Sequence, residues 1–230
     1  MISFNNDRNC VVCNRKHDLF KTLSDEELKM INNGRYEINY KPNETIVKQG
    51  TSISHFIIIH KGVAKLYIEG KNKDMIMQYL RSPDFFLDPG AFVDKRNHFT
   101  LTALEETGAC LIDVNVFLSL LQSNKAFAME YFQEISKREL FFCERVMNLT
   151  QKQMHGRIAD ALLYLCNEIY NHNGKVIRIS KIDLASVTNM NKDSAGRILK
   201  EFQESGVIKV NGNEIELLDL NTLRQICEYG

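Results

Sequence analysis

Two groups of residues in this 230-residue chain are of types and spacings that could do chemistry. Near the start, Cys10-Val11-Val12-Cys13 is followed by His17. A thiol pair at that spacing with an imidazole close by could belong to a zinc site, or act by itself as a thiol switch. Cys110, in Thr107-Gly108-Ala109-Cys110-Leu111-Ile112, stands in an apolar strand context where a thiol behaves as a small buried hydrophobe. Cys143, Cys166 and Cys227 lack partners at ligand spacing and are assigned structural roles. The second group lies between Lys175 and Lys200. There Lys175, Arg178, Lys181, Lys192, Arg197 and Lys200 are set against only Asp183 and Asp193. A local excess of base can neutralise phosphates and release counterions, which makes duplex binding salt-dependent.

The second group needs a scaffold, and the surrounding residues supply one. Ser180-Lys181-Ile182-Asp183 resembles a capping box, in which the serine hydroxyl accepts the Asp183 amide and the carboxylate reaches back to the serine amide. The helix it opens carries Leu184 and Val187 inward and the small Ala185, which lets a second helix approach. Asn189 stands where the connection needs a left-handed residue, a conformation asparagine tolerates better than other non-glycine types. Asn191 can cap the next helix, expected from about Lys192 to Ser205, with Ala195, Ile198, Leu199 and Phe202 facing inward. Lys192, Asp193, Ser194 and Arg197 then cluster at its start, the end that meets base edges when such a helix enters the major groove. Val207–Val210 and Glu214–Leu218 flank Asn211-Gly212-Asn213, a hairpin signal. Two capped helices and a hairpin make a winged helix-turn-helix. Ser180, Lys181, Asn191, Lys192, Asp193, Ser194, Arg197 and Lys200 are its candidate DNA contacts.

Upstream the punctuation differs. From about Tyr36 to Asp113 the chain reads as short strands: Tyr36, Ile38 and Tyr40 alternate with polar residues, Phe56–Ile59 is an apolar run, and Val63–Ile68 and Met75–Leu80 flank a polar turn. That spacing indicates an antiparallel barrel or sandwich. From Val116 to about Thr150 there is no Gly or Pro, and one long helix is expected. Phe132, Ile135, Phe142, Val146 and Leu149 fall on one stripe, a candidate dimer seam or a face laid on the chain's own domain. A further amphipathic helix carries Ile158, Ala161, Leu162 and Leu165 and ends near Asn171-His172-Asn173-Gly174. The fold class is therefore α+β: an antiparallel barrel or sandwich over 1–114, which the resemblance below makes a β-roll, a long helix over 115–150, which it makes a dimerisation helix, and a winged helix-turn-helix over 151–230.

Composition narrows the function. With 44% hydrophobic and 25% charged residues, disordered, collagen-like and purely coiled-coil readings drop out. Charges balance at 29 of each sign, so a case for nucleic acid must rest on local charge. No uncharged run approaches the roughly 20 residues of a membrane span, and no secretory signal opens the chain. Cysteines in such a chain are expected as reduced thiols or ligands, and residence as cytoplasmic with no membrane partner.

Taken together, these residues resemble the Crp–Fnr superfamily of bacterial transcription regulators over nearly the full length. His155-Gly156-Arg157-Ile158-Ala159-Asp160-Ala161-Leu162-Leu163 resembles the helix leading into the family's DNA-binding domain. Lys192-Asp193-Ser194-Ala195-Gly196-Arg197-Ile198-Leu199-Lys200 is similar to its recognition helix. Glu44–Gly50 and Ile59–Tyr67 match its sensory β-roll, the cyclic-nucleotide-binding type. The resemblance implies a homodimer joined along the long helix, binding to palindromic double-stranded DNA, and contact with RNA polymerase. By family position Lys192, Asp193 and Arg197 would read bases. Better-known members have Arg and Glu where this chain has Lys192 and Asp193, which leaves the half-site open.

The resemblance offers three effectors. Against cyclic AMP, Leu87-Asp88-Pro89-Gly90 through His98-Phe99 stands where the family's phosphate-binding turn would be, with bulk from Leu87 and Phe99 and no arginine standing ready to pair with the phosphate. Phe142 and Cys143 stand where hydroxyls would meet the base. For an iron–sulfur cluster, Cys10, Cys13 and Cys110 resemble three of four ligands; Leu19 stands about where the fourth would fall, and His17 or Asp18 could substitute. For haem, His55, His60, His98, Met75 and Met77 are candidates, and Phe85, Phe86, Phe92 and Phe99 line a pocket or, as the plainer reading, fill the β-roll core. The expectation is a redox, oxygen or nitric oxide sensor working through a cluster or haem. Two other classes stay open. One is a thiol oxidoreductase using Cys10 and Cys13, although that pair precedes any strand and no catalytic phosphate loop, Gly-x-Ser-x-Gly or His-Glu-x-x-His occurs. The other is a ligand-binding module acting on a protein partner, which would have no use for a capped helix pair and wing.

Overall fold

The computed structural model describes residues 9–13, 17–170 and 176–230. The expected helix end at Asn171-His172-Asn173-Gly174 and the base Lys175 lie outside the described residues. The chain divides into two compact units, Met1–Glu69 with Gln78–Glu139, and Gly70–Met77 with Leu140–Gly230.

The first unit is built on strands β1 (Arg35–Tyr40), β2 (Thr45–Val47), β3 (His55–Lys61), β4 (Val63–Ile68), β5 (Met75–Arg81), β6 (Asp84–Phe86), β7 (Thr100–Ala103) and β8 (Thr107–Asp113). They form two four-stranded sheets, ordered β1-β8-β3-β6 and β2-β7-β4-β5. Strand β3 explains why the Phe56–Ile59 run is apolar without alternation: both of its faces are covered. Ile57 and Ile59 point into the core between the sheets with Leu66, Leu80, Phe86 and Leu101. Phe56 and Ile58 point the other way, into a second core with Phe85, Phe117, Phe127 and Tyr131. Phe85, Phe86 and Phe99 are thus core or core-flanking, but Phe92 is 56% exposed. Gly62 closes the tight β3–β4 turn with φ +77°, where a Cβ would also run into the Glu106 carbonyl.

Helix α1 (Asp25–Asn33), which sequence patterning missed, opens on a complete capping box of Ser24 and Glu27. The single long helix expected from Val116 is two helices, α2 (Val114–Ser123) and α3 (Lys125–Gln151). Asn124 separates them: its backbone is extended (φ −114°, ψ 102°) and its Oδ1 accepts the Phe127 amide at 3.0 Å, capping α3. Asparagine breaks the helix here without Gly or Pro because its side chain replaces the lost backbone bonds. At 27 residues, α3 extends about 40 Å.

The stripe expected on this helix is redrawn. Phe132 (65%) and Val146 (56%) are exposed, but Ile135 packs against the first unit's core, and Phe142 and Leu149 are half-buried. The apolar residues left in solvent are Met129, Phe132, Leu140, Val146 and Met147, with Cys143 exposed between them. Met129, Phe132, Ser136, Leu140, Cys143 and Met147 recur at steps of three and four, the spacing of a two-helix seam.

The second unit holds α4 (Met154–Tyr164), continued by a π-helical turn over Leu165–Ile169, then β9 (Val176–Arg178), α5 (Lys181–Val187), α6 (Lys192–Glu204), β10 (Ile208–Asn211), β11 (Glu214–Leu217) and α7 (Leu220–Tyr229). Strand β9 and helix α7 were not anticipated. Strand β9 adds to the hairpin as β10-β11-β9, and the end of α7 lies so close to α4 that a Cβ on Gly156 would strike the Gly230 carbonyl. No helix among the described residues is long and apolar enough to cross a membrane.

Candidate functional site

Helices α5 and α6 are held by the caps their sequences imply. Ser180 Oγ accepts the Asp183 amide at 3.0 Å. The carboxylate does not reach back to the serine amide; Asp183 Oδ2 accepts from the Ser180 hydroxyl instead, at 2.9 Å. One methylene shorter than Glu, it can close only that smaller ring. Asn189 adopts φ +53°, and Asn191 Oδ1 accepts the Ser194 amide at 2.7 Å. Ala195, Ile198, Leu199 and Phe202 are buried, so α6 is rotationally fixed with Lys192, Asp193, Arg197 and Lys200 in solvent. Ser194 and Ser180 are half-buried; Lys181 and Asn191 are exposed. In the hairpin, Asn211 pairs with Glu214, which makes Gly212 and Asn213 the turn residues. Only Gly212 has positive φ (+61°), so this is the glycine-first arrangement of a type II′ turn and not the Asn-Gly turn expected. Lys181, Gly196, Lys200, Gln203 and Gly212 line a groove of about 400 Å³ between α6 and the hairpin.

Arg197 is not a free fork. Its guanidinium donates to Glu201 Oε1 at 3.0 Å, while Glu201 Oε2 lies 2.7 Å from His155 Nε2. The His155 hydrogen bond, with Arg197 beside it, holds the Glu201 carboxyl below its usual range. Glu201 and His155 were not singled out from sequence, although Arg197 and Glu201 stand at i,i+4, a spacing that would have flagged the pair.

The first unit gathers a second set. Cys10, Cys13 and Cys110, up to a hundred residues apart, line one cavity of about 40 Å³ together with Arg35, Glu37 and His60. The sheet register makes this arrangement: Glu37 of β1 and Ile58 of β3 both pair with Cys110 of β8, so the three share one face. Asn32 Oδ1 accepts both the Cys10 amide (3.2 Å) and Arg35 Nε (3.3 Å). Arg35, 6% exposed, makes a 2.9 Å ion pair with Glu37 and lies 3.8 Å from Cys110 Sγ. Burial raises the Cys10 thiol and pushes Cys110 up to about 12, with Arg35 opposing, so both thiols stay protonated at neutral pH.

His17 does not line this cavity. Its Nδ1 accepts the Leu19 amide at 3.1 Å, and its ring stands edge-on to Phe85 at 5.1 Å. Asp18 is exposed and paired with Lys21 at 2.8 Å, and Leu19 is core at 1% exposure. Among the described residues, no three His, Cys, Asp or Glu side chains stand at the spacing of a single metal ion. Of the haem candidates, His55 lies 2.7 Å from Ser54 Oγ and 3.1 Å from Tyr36 Oη, and His98 pairs with Asp94 at 3.1 Å.

At the position where the resemblance places a phosphate turn, Asp88 is 1% exposed and supplies the anion itself. Its carboxylate accepts the amides of Gly90 (2.9 Å), His98 (2.7 Å) and Phe99 (3.1 Å). Leu87 is buried beside it.

Two domain families match the chain: a cyclic nucleotide-binding domain over residues 37–124 and a Crp-like helix-turn-helix domain over residues 156–226. The cAMP-activated global transcriptional regulator CRP of Salmonella typhimurium is 27% identical over 181 residues, covering 76% of this chain and 86% of that protein. The cAMP-activated regulator Vfr of Pseudomonas aeruginosa is 25% identical, covering 75% and 85%. A crp/fnr-family protein from Eubacterium rectale has the same fold, with a TM-score of 0.78 at 16% identity over 92% of this chain and 98% of its own. FixK2 of Bradyrhizobium japonicum gives 0.74 at 15% identity over 84% and 96%. Crp-like helix-turn-helix regulators bind DNA and act as dimers. With a sensory β-roll, a long helix and a winged helix-turn-helix in that order, this chain belongs to the Crp–Fnr superfamily of transcription regulators.

Proposed function

We propose that the chain acts as a homodimer, paired along the exposed α3 seam, that binds a palindromic DNA site through two α6 helices and engages RNA polymerase from there. The observation carrying the DNA reading is the Asn191-capped start of α6, which presents Lys192, Asp193 and Arg197 together in solvent while four apolar residues anchor the opposite face. Lys192, Asp193 and Arg197 read bases, Arg197 donating to guanine and Asp193 accepting from cytosine N4, while Lys200 meets a phosphate.

The effector we propose is redox, oxygen or nitric oxide, read through an iron–sulfur cluster at the Cys10–Cys13–Cys110 cavity. Cluster ligands are cysteine thiolates. What supports this reading is that three thiols from two distant segments line one cavity. The Arg35 guanidinium, 3.8 Å from Cys110 Sγ, opposes the upward push of burial on that thiol. Cys10, Cys13 and Cys110 would hold the cluster, and the cavity of about 40 Å³ would have to open to admit it. Cyclic AMP, named for the relatives above, is a poor fit here because Asp88 already occupies the amides an anion would use. The test is anaerobic purification with iron and sulfide analysis, followed by gel-shift titration before and after exposure to air and with added cyclic AMP. Specific binding that responds to air and not to the nucleotide supports the proposal; micromolar cyclic AMP affinity refutes it.

A further inference from the structure

Glu201 divides its carboxylate between two helices. Oε1 accepts from the Arg197 guanidinium at 3.0 Å on α6 itself, and Oε2 lies 2.7 Å from Nε2 of His155, in the first turn of α4. Resting on the reading of Arg197 as a base contact, we infer that His155 is a positioning residue for DNA recognition. Acting through Glu201, its charge state sets how readily Arg197 is released to a guanine, so that cognate binding takes up a proton and base discrimination rises as pH falls.

The fold seats every member of this relay. The His155 ring lies against Phe202, with centroids 6.0 Å apart, and Phe202 is core at 4% exposure, next to Glu201 in the chain. The Gly230 backbone of α7 packs against Gly156, which seats the start of α4. Arg197 and Glu201 share a face of α6 by their i,i+4 spacing. Neighbouring charges are engaged elsewhere. On α6, Lys200 pairs with Glu204 at 3.6 Å. Beside α4, Lys152 pairs with Asp160 at 3.0 Å, and Arg157 Nε donates to the Lys152 carbonyl at 2.9 Å. The carboxylate facing the imidazole is thus that of Glu201, with the Arg197 guanidinium on its far side.

Histidine changes charge between about pH 5 and 8, and arginine does not. Glu201 stays ionised there, since both partners hold its carboxyl below the usual range. In the unbound protein a protonated His155 and Arg197 compete for one negative charge. Once Arg197 moves to a base edge, Glu201 is left to His155 alone, close to phosphates whose field disfavours a bare carboxylate. An imidazolium neutralises it and a neutral imidazole does not. Cognate binding therefore favours the protonated form, and protonation favours cognate binding by the same factor. On a duplex without the guanine, Arg197 stays with Glu201 and the gain is absent. Exposed pairs shift an equilibrium about 1.4-fold to 5-fold, so two helices per dimer give roughly 2-fold to 30-fold.

The experiment uses the full chain and a palindrome that the protein selects from a random duplex pool. Competition gel shifts at fixed salt set it against a duplex altered symmetrically at the guanine, from about pH 8 to about pH 6. The wild-type specificity ratio is expected to rise by roughly 2-fold to 30-fold over that range. His172→Ala, at the other histidine after residue 140, keeps the rise. His155→Gln retains a donor for Glu201 that does not titrate, and its ratio stays flat. Glu201→Gln, at an exposed side chain, is also flat, which guards against a His155 variant that fails to fold by circular dichroism. A flat wild-type ratio, or a wild-type rise retained in either His155→Gln or Glu201→Gln, overturns the inference. An Arg197→Ala protein as discriminating as wild type refutes the base-contact reading beneath it instead.

Discussion

Replacing Arg197 with alanine should abolish base discrimination while leaving the fold intact. The Arg197 side chain is 56% exposed, and it makes an i,i+4 ion pair with Glu201. Exposed pairs of that kind contribute about 0.3–0.5 kcal/mol, so unfolding should shift by no more. A bidentate arginine–guanine contact supplies roughly 1–3 kcal/mol of discrimination. Two recognition helices per dimer double that to roughly 2–6 kcal/mol, a specificity ratio lowered about 30-fold to 10⁴-fold. The assay is a competition gel shift at fixed salt, with the cognate palindrome challenged by one altered symmetrically at the guanine. Because free Arg197 must first leave Glu201, Glu201→Gln should preserve discrimination and bind at least as tightly. An Arg197→Ala protein that still separates the two duplexes as wild type does would refute the placement of this side chain on a base.

Other expectations concern the remaining elements. Leu140→Glu puts charge into the α3 seam, where burying each leucine is worth about 1.5–3 kcal/mol; two per dimer should raise the dissociation constant roughly 10²-fold to 10⁴-fold, read by sedimentation equilibrium. An unchanged constant would move the interface elsewhere. Asp88→Ala leaves three amides without their acceptor at about 1–3 kcal/mol each, so the first unit should melt markedly earlier. Burial raises Asp84 to about 6, with Arg138 at 3.4 Å opposing. The folded protein then holds a proton that the unfolded chain releases near 4, and this carboxyl costs stability as pH climbs from about 4 to about 6. Asp84→Asn should remove that fall from the denaturation profile, gaining on wild type above pH 6 and not below pH 4. Equal slopes for the two proteins across that window would contradict it.

Local chemistry was legible in the amino-acid order. The Asn191 cap, the left-handed Asn189, the buried face of α6 and the hairpin after it all follow from residues within a turn of one another, where spacing and geometry are the same thing. So was an antiparallel two-sheet first unit, because short apolar runs between turn residues indicate a barrel or sandwich; the β-roll itself came from the family resemblance. What tertiary packing alone decided involves residues far apart. Whether Ile135 or Leu140 faces outward depends on which side of α3 the first unit's core claims, and a continuous apolar stripe cannot reveal that. Patterning likewise chose His17 as the companion of Cys10 and Cys13 because it is near in sequence, whereas the fold turns His17 onto Phe85. The registers of β8 with β1 and β3 bring Glu37, Cys110 and Ile58 into one row, and the Cys10 turn folds over it. Such pairings are set by sheet closure and burial summed over the whole unit, so no window of neighbouring residues encodes them.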